Sequence, residues 1–101
     1  MMVTRKKESH NKEVGTILFN HRMKLTDIEK SRKVFIDDRD EKLFNYEYMD
    51  ENGNGSWISE KTLMNYELGK NIPSLKYLKR LAAAYEVSVI ELIKEILPYI
   101  D

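Results

Sequence analysis

The sequence has no cysteine, only two prolines and four glycines, and no surplus of either charge over its 101 residues. Without cysteine there are no disulfides and no cysteine-ligated zinc, so packing and association must supply the stability. Scarce proline and glycine argue against a fibrous or disordered chain, and the length suits one small domain. Its apolar runs are too short to cross a bilayer, and residues 1–12 lack the apolar centre of a signal peptide. We therefore expect a soluble, cytoplasmic protein that makes no membrane contact.

The net charge of zero conceals a strong segregation of charge along the chain. Residues 1–33 carry nine Lys and Arg against four Asp and Glu, and residues 61–85 carry five against one. The balance is reversed elsewhere: residues 34–60 carry two Lys and Arg against eight Asp and Glu, and residues 86–101 carry one against four. Basic blocks favour contact with polyanions, whereas a neutral total argues against a nucleic-acid binder that ignores sequence.

The sequence offers little for catalysis or cofactor chemistry. His10 and His21 are the only imidazoles, neither lies in a motif with a nucleophile, and no glycine-rich phosphate loop follows a strand-like run. We predict no catalytic residue, no metal and no cofactor, so the protein is not expected to be an enzyme. A minor alternative is EF-hand-like calcium binding from Asp50 to Glu60, although Lys61 stands where that loop needs a bidentate Glu.

The stretch from Ser59 to Ser74 carries the signals for one short helix followed by another. Ser59 is an N-cap candidate, Gly69 can adopt the left-handed conformation that ends a helix, and Pro73 with Ser74 opens the next helix. Helical spacing separates an apolar side from a polar side in both helices. The residues predicted to enter the core are Leu63, Tyr66, Leu75, Leu78 and Leu81.

This stretch resembles the second half of the Cro/phage-repressor-like (XRE) helix-turn-helix family. The resemblance rests on the pattern Ser-x-x-Thr-Leu-x-x-Tyr-Glu-x-Gly-Lys-x-x-Pro-Ser-x-x-x-Leu-x-x-Leu-Ala-x-Ala-Tyr-x-Val, which begins at Ser59. It covers residues 57–93 closely and extends loosely over residues 14–35. The resemblance implies an all-α, five-helix lambda-repressor-like DNA-binding domain.

The resemblance also implies which residues contact double-stranded DNA. The positions that match base contacts, or lie beside them, are Glu60, Lys61, Thr62, Met64 and Asn65. The positions that match phosphate contacts are Thr26, Ser59, Lys70 and Asn71. These residue types suit the task, because Asn pairs with adenine, Lys donates to guanine and Glu accepts from the cytosine amino group.

The amino-terminal part is predicted from local signals. Residues 1–12 read as a flexible basic arm, and the domain of residues 13–97 begins with a helix at about Glu13. The capping box that starts at Thr26 predicts a second helix as far as about Ile36. In the resembled family that helix opens the motif and its start sits against a phosphate. Its cations are either a solvated face or phosphate contacts, and they are Lys30, which stands where a core Leu is usual, Arg32 and Lys33.

Residues 37–57 form an insert where family members have a turn of only a few residues. Strand-prone aromatic residues at 43–49, turn residues at 50–55 and a short apolar return at 56–58 predict a small β-hairpin or an ordered loop. The insert is strongly acidic, so we expect it to point away from DNA or toward a protein partner.

A second capping box, Ser88 with Glu91, predicts a fifth helix through about Leu97, with residues 98–101 as a tail. Its apolar residues exceed what one small core can bury, which predicts a homodimer through this helix, unless the tail folds back over the core. The favoured interpretation is a sequence-specific transcriptional regulator, a repressor that binds operator DNA as a dimer. The alternative is a protein-interaction module that uses the acidic aromatic insert.

Overall fold

The structure is a computed structural model that describes residues 11–100, which form five α-helices and no β-strand. The helices are α1 (Lys12–Met23), α2 (Arg32–Lys42), α3 (Glu60–Glu67), α4 (Leu75–Tyr85) and α5 (Val89–Ile96), followed by a 3-10 turn, Leu97–Tyr99. The all-α, five-helix prediction is therefore confirmed within this range. No helix among these residues is both long and apolar enough to cross a bilayer. The predicted basic arm lies outside the described residues, except for Asn11 and Lys12.

Short polar side chains begin all five helices, because their oxygens accept hydrogen bonds from amides that the helix itself leaves unpaired. The N-caps are Asn11, Ser31, Ser59, Ser74 and Ser88. The predicted starts at Ser59, Ser74 and Ser88 are confirmed. The predicted end of α3 is confirmed as well, since Gly69 has φ +79°.

The core gathers around α3, which packs against both α1 and α2, while α5 packs against α4 and α1. Its fully buried side chains are Val14, Leu18, Phe35, Trp57, Ile58, Leu63, Leu81, Leu92 and Ile96. One core prediction is wrong: Leu75 is 62% exposed, because it is the first residue of α4 and lies beyond the buried stripe that Leu78 begins.

The predicted second helix starts later than its sequence motif indicates. Thr26 lies in a bend, and Ser31 caps α2 instead, its Oγ accepting from the Val34 amide at 3.3 Å. The Lys30 ammonium donates to the carbonyl oxygens of Met23 and Leu25, both at 2.7 Å, and so holds the segment in a non-helical path. Lys30 therefore lies before α2 and does not occupy a core position of that helix.

The same helix also ends later than predicted, since α2 continues to Lys42 through the acidic residues assigned to the insert. The connection to α3 is thus residues 43–58, called the insert loop below. The predicted β-hairpin is wrong. Asn45 and Tyr46, at the centre of the expected first strand, both have positive φ (52° and 58°), which no strand accommodates. What forms is the alternative, an ordered loop of successive turns.

Trp57 anchors the insert loop to α2. Its side chain is fully buried, its indole Nε1 donates to the Ile36 carbonyl at 3.1 Å, and its ring lies 5.2 Å from that of Phe44. Its backbone amide donates to the Asp40 carboxylate at 3.2 Å. Because Trp57 and Ile58 are both buried, the end of the loop is core rather than a two-faced strand.

Candidate nucleic-acid interface

The start of α3 is fixed by Ser59, which stands immediately before it. The Thr62 amide donates to Ser59 Oγ at 3.0 Å, and the Ser59 hydroxyl lies 2.8 Å from the Thr62 hydroxyl. At the other end, the Gly69 carbonyl accepts from the Asn11 amide at 2.8 Å. Both ends of this eight-residue helix are therefore tied down, which presents its outer side in a defined orientation.

The inner side of α3 is held by a buried ion cluster. Arg22 of α1 grips the Glu67 carboxylate with two nitrogens, Nε at 2.6 Å and Nη2 at 2.8 Å. Arg32 of α2 adds a third bond, Nε to Glu67 Oε1 at 2.9 Å. The side chains of Arg22 and Glu67 are 4% and 1% exposed, so water screens this cluster little. Through these bonds Glu67 joins α1, α2 and α3.

Tyr66 completes the inner side of α3. It is buried and packs edge-on against the ring of Tyr77 at 5.8 Å. Burial raises the pKa of Tyr66, and the neighbouring Tyr77 raises it further. A neutral, buried ring agrees with the core role that the sequence predicts.

The outer side of α3 carries the five residues predicted to contact bases. Glu60 and Lys61 are exposed, while Thr62, Met64 and Asn65 are partly exposed. Together they give one continuous helix surface that offers an amide, an ammonium, a carboxylate and a hydroxyl. Such a surface has the donors and acceptors that base edges require.

The residues predicted to contact phosphates do not form one group. Ser59 lies at the start of α3, and Lys70 and Asn71 are exposed just beyond its end, where the Lys70 amide donates to the Asn65 carbonyl at 2.9 Å. Thr26 is exposed, but it lies in the bend between α1 and α2 rather than at a helix start.

Sequence reasoning missed Ser31 as the N-cap of α2, and it left open whether Lys33, in the first turn, is solvated or contacts a phosphate. Lys33 lines a concavity of about 550 Å³ that it shares with Ser59, Glu60 and Thr62 at the start of α3. The signal was available, because Ser31 is as good an N-cap candidate as Thr26, but the complete capping box at Thr26 was the stronger local motif.

In the segment considered above for calcium binding, Asp50 makes contacts within its own loop. The Asp50 carboxylate accepts from the amides of Asn52 and Asn54, both at 2.9 Å, and so closes a turn within its own loop. Within residues 11–100, no group of three or more His, Cys, Asp or Glu side chains is arranged to hold a metal ion. The Asp50 contacts are those of an ordinary turn-forming residue.

Comparison with known proteins bears directly on this surface. A family model described as helix-turn-helix matches residues 46–92, a range that contains α3, α4 and the first part of α5. No curated protein and no solved structure matches the chain significantly. The matched range includes all of α3, whereas α1 and α2 lie outside it. Residues 46–92 therefore match the Cro/C1-type helix-turn-helix (XRE) family, a family of DNA-binding regulators.

Proposed function

We propose that the protein is a sequence-specific transcriptional regulator that acts in the cytoplasm as a repressor, by occupying operator DNA. The observation that carries this proposal is the outer side of α3, polar and accessible, on a helix whose inner side and both ends are fixed. A short helix held in this way fits the DNA major groove, which is about 12 Å wide. The match of residues 46–92 to a family of DNA-binding regulators supports the same function.

Within this proposal each outer residue has a chemical task. Asn65 makes a bidentate contact to adenine, Lys61 donates to guanine and Glu60 accepts from a cytosine amino group. Thr62 and Met64 flank these contacts, and the Met64 side chain suits the thymine methyl group.

Phosphate contacts surround this surface. Ser59 and the amides at the start of α3 suit one phosphate, and Lys70 with Asn71 suits another. Thr26 stays a proposed phosphate contact on its exposure alone. Thr26 was selected because it was predicted to start the second helix, but Ser31 is the residue that starts α2.

Binding as a homodimer through α5 is part of the proposal. Ile90 and Leu97 are 58% and 56% exposed, whereas Leu92 and Ile96 of the same segment are buried. An exposed apolar strip of this kind favours a symmetric contact between two copies. Two copies would read half-sites about one helical turn apart.

A second candidate, a protein-interaction module, is favoured by the surface of the insert loop. Tyr46 and Met49 are exposed beside the acidic side chains of α2, and together they line a groove of about 520 Å³. Such a groove suits a basic protein partner that also carries apolar side chains. The two candidates differ in what α3 contacts, so DNA binding separates them.

The experiment that tests the main proposal is selection of bound duplexes from a random DNA pool, followed by titration of the selected duplex at two salt concentrations. A palindromic site with a steep salt dependence would support a dimeric operator binder, and the slope would give the number of phosphate contacts. Recovery of no preferred duplex would reject the proposal and favour the interaction module.

The residue assignments make a sharper prediction. Asn65→Ala should lose about 1–3 kcal/mol on the selected duplex and little on a scrambled one, because it removes a base contact. Lys70→Ala should weaken both duplexes equally and lower the salt slope by about one, because it removes a phosphate contact. Titration by fluorescence anisotropy measures both. If neither variant differs from wild type at fixed salt, the assigned helix side is wrong.

A further inference from the structure

One arginine connects the insert loop to α4 at the entrance to α3. Arg80 of α4 donates from Nη1 to the Trp57 carbonyl at 2.9 Å. Its guanidinium carbon lies 4.0 Å from the centre of the Tyr48 ring and 5.1 Å from that of Tyr77. The guanidinium therefore has an aromatic contact from the loop, another from α4, and a backbone carbonyl as hydrogen-bond acceptor.

These contacts continue to α3 by two routes. Trp57 is two residues before Ser59, the N-cap, so the carbonyl that Arg80 binds lies at the entrance to the helix. Tyr77, which contacts the guanidinium, packs edge-on against Tyr66 on the inner side of α3. Arg80 thus contacts the segment that leads into α3 through its hydrogen bond to Trp57, and it reaches the buried side of α3 through the ring of Tyr77.

The insert loop creates a need for such a contact. In the resembled family, a turn of a few residues fixes the two motif helices relative to each other through covalent geometry. A connection of residues 43–58 cannot do this, because a longer loop leaves its ends more freedom. Non-covalent contacts must then set where α3 begins, and Arg80 makes three of them.

We propose that Arg80 is a positioning residue that sets the start of α3 for base recognition, a role that rests on the proposed DNA-binding function. Only a guanidinium suits it, because its planar group stacks on aromatic rings while its edge donates to a carbonyl. A lysine at this position keeps the charge but does not reproduce both contacts.

The competing explanation is that Arg80 is one of several cations that attract DNA phosphates. Lys76 and Lys79 line the same groove between α4 and the insert loop, together with Arg80. Lys79 is exposed, one residue from Arg80, and contributes no aromatic cation contact within residues 11–100. It is therefore a matched control.

The first measurement compares Arg80→Lys with Lys79→Gln on the selected duplex and on a scrambled duplex, at two salt concentrations. Arg80→Lys should lose about tenfold on the selected duplex, the low end for one good base contact, and nothing on the scrambled one. Lys79→Gln should weaken both duplexes equally, or leave both unchanged. An unchanged ratio of selected to scrambled affinity in Arg80→Lys overturns the positioning role.

The second measurement needs no DNA. Hydrogen exchange at the Thr62 and Leu63 amides, which bond to Ser59, reports the start of α3. The amide of Leu92, which bonds to the Ser88 carbonyl at the start of α5, is the reference site. Arg80→Lys should speed exchange at Thr62 and Leu63 relative to Leu92, and Lys79→Gln should not. Equal acceleration at all three sites, or none, overturns the proposal.

The two measurements separate this proposal from the proposed function. If the wild-type protein selects no duplex while Arg80→Lys still loosens the start of α3, the DNA-binding function fails and the contact role stands. If Arg80→Lys fails to fold, Tyr48→Leu removes one aromatic face and keeps the Arg80 bond to Trp57. Tyr48→Leu should then lower the ratio of selected to scrambled affinity and speed exchange at Thr62 and Leu63, as expected for Arg80→Lys. If neither quantity changes, the proposal is rejected.

Discussion

At the scale of single residues, Glu67 ties the inner side of α3 to two other helices. Its carboxylate binds Arg22 and Arg32, so one side chain joins α1, α2 and α3. A buried ion pair of this kind is costly to form and more costly to break, because a broken pair leaves an uncompensated charge. The cluster therefore specifies how the three helices fit together.

We predict that Glu67→Gln destabilises the fold by about 3–5 kcal/mol, because it leaves the buried Arg22 guanidinium without its counter-charge. Urea unfolding followed by tryptophan fluorescence measures this, since the fully buried Trp57 is the single tryptophan. Arg32→Gln is the matched control, and its loss should be smaller because that side chain is 28% exposed. A loss below about 1 kcal/mol for Glu67→Gln would contradict the buried-pair argument.

The contribution of Asp40 to folding stability is expected to depend on pH. Burial raises the pKa of Asp40 above 3.8, and the nearby charge of Asp37 raises it further. The hydrogen bond from the Trp57 amide lowers it in part. Above pH 3.8 the folded chain then binds more protons at Asp40 than the unfolded chain, so the contribution of Asp40 to stability falls as pH rises. Asp40→Asn stays neutral at every pH. The difference in unfolding free energy between Asp40→Asn and wild type should therefore grow in favour of the variant as pH rises through the pKa of Asp40, and it should stay constant at higher pH.

Urea unfolding from about pH 4 to about pH 8 measures the Asp40 effect. Taking the difference between Asp40→Asn and wild type cancels every other titrating group that both chains share. Glu41→Gln, which removes an exposed carboxylate of the same helix, is the control for the loss of one negative charge. Parallel curves for Asp40→Asn and wild type would show that burial does not shift this carboxyl.

At the scale of elements, the close approach of α1 to the end of α3 depends on two glycines, Gly15 in α1 and Gly69 after α3. A Cβ on Gly15 would lie 2.5 Å from the Glu67 carbonyl oxygen and 2.7 Å from the Gly69 nitrogen, both backbone atoms. Backbone cannot move aside as a flexible side chain can. The contact therefore fixes the separation of these two helices.

Gly15→Ala should destabilise the protein by about 1–3 kcal/mol through overpacking. Helix propensity alone predicts the opposite sign, a gain of about 1 kcal/mol for the same change. Thermal or urea unfolding decides which effect is larger. Thr16→Ala, the exposed neighbour on α1, should be close to neutral, and a stable Gly15→Ala variant would mean that the two helices separate at little cost.

At the scale of the whole molecule, the exposed part of α5 predicts self-association. Ile90→Glu should weaken a dimer by about tenfold or more, because it places a carboxylate in an apolar contact. Sedimentation velocity over a concentration series measures this, and operator affinity should fall with it. Leu43→Glu, a similarly exposed leucine at the end of α2, should leave association unchanged. A wild-type protein that stays monomeric at all concentrations would reject the dimer.

What the sequence determined by itself was local chemistry. Ser59, Ser74 and Ser88 as helix starts and Gly69 as a helix end each depend on a residue and its near neighbours, so spacing alone identified them. The separation of α3 into a buried and an accessible side was predictable for the same reason, because helical periodicity assigns sides before any packing is known. The residues proposed to read DNA are those that the family resemblance assigns to the accessible side.

Only the tertiary structure decided where α2 begins and what the insert loop becomes. The Thr26 capping box is sound as a local motif, but Lys30 bonds the preceding carbonyls and Ser31 starts the helix. The hairpin failed because Phe44 and Trp57 gain more by burial in a shared core than by pairing in a two-stranded ribbon, which is only marginally stable in water. At the insert loop, contacts between residues far apart in sequence outweighed local propensity, and sequence periodicity carries no information about such contacts.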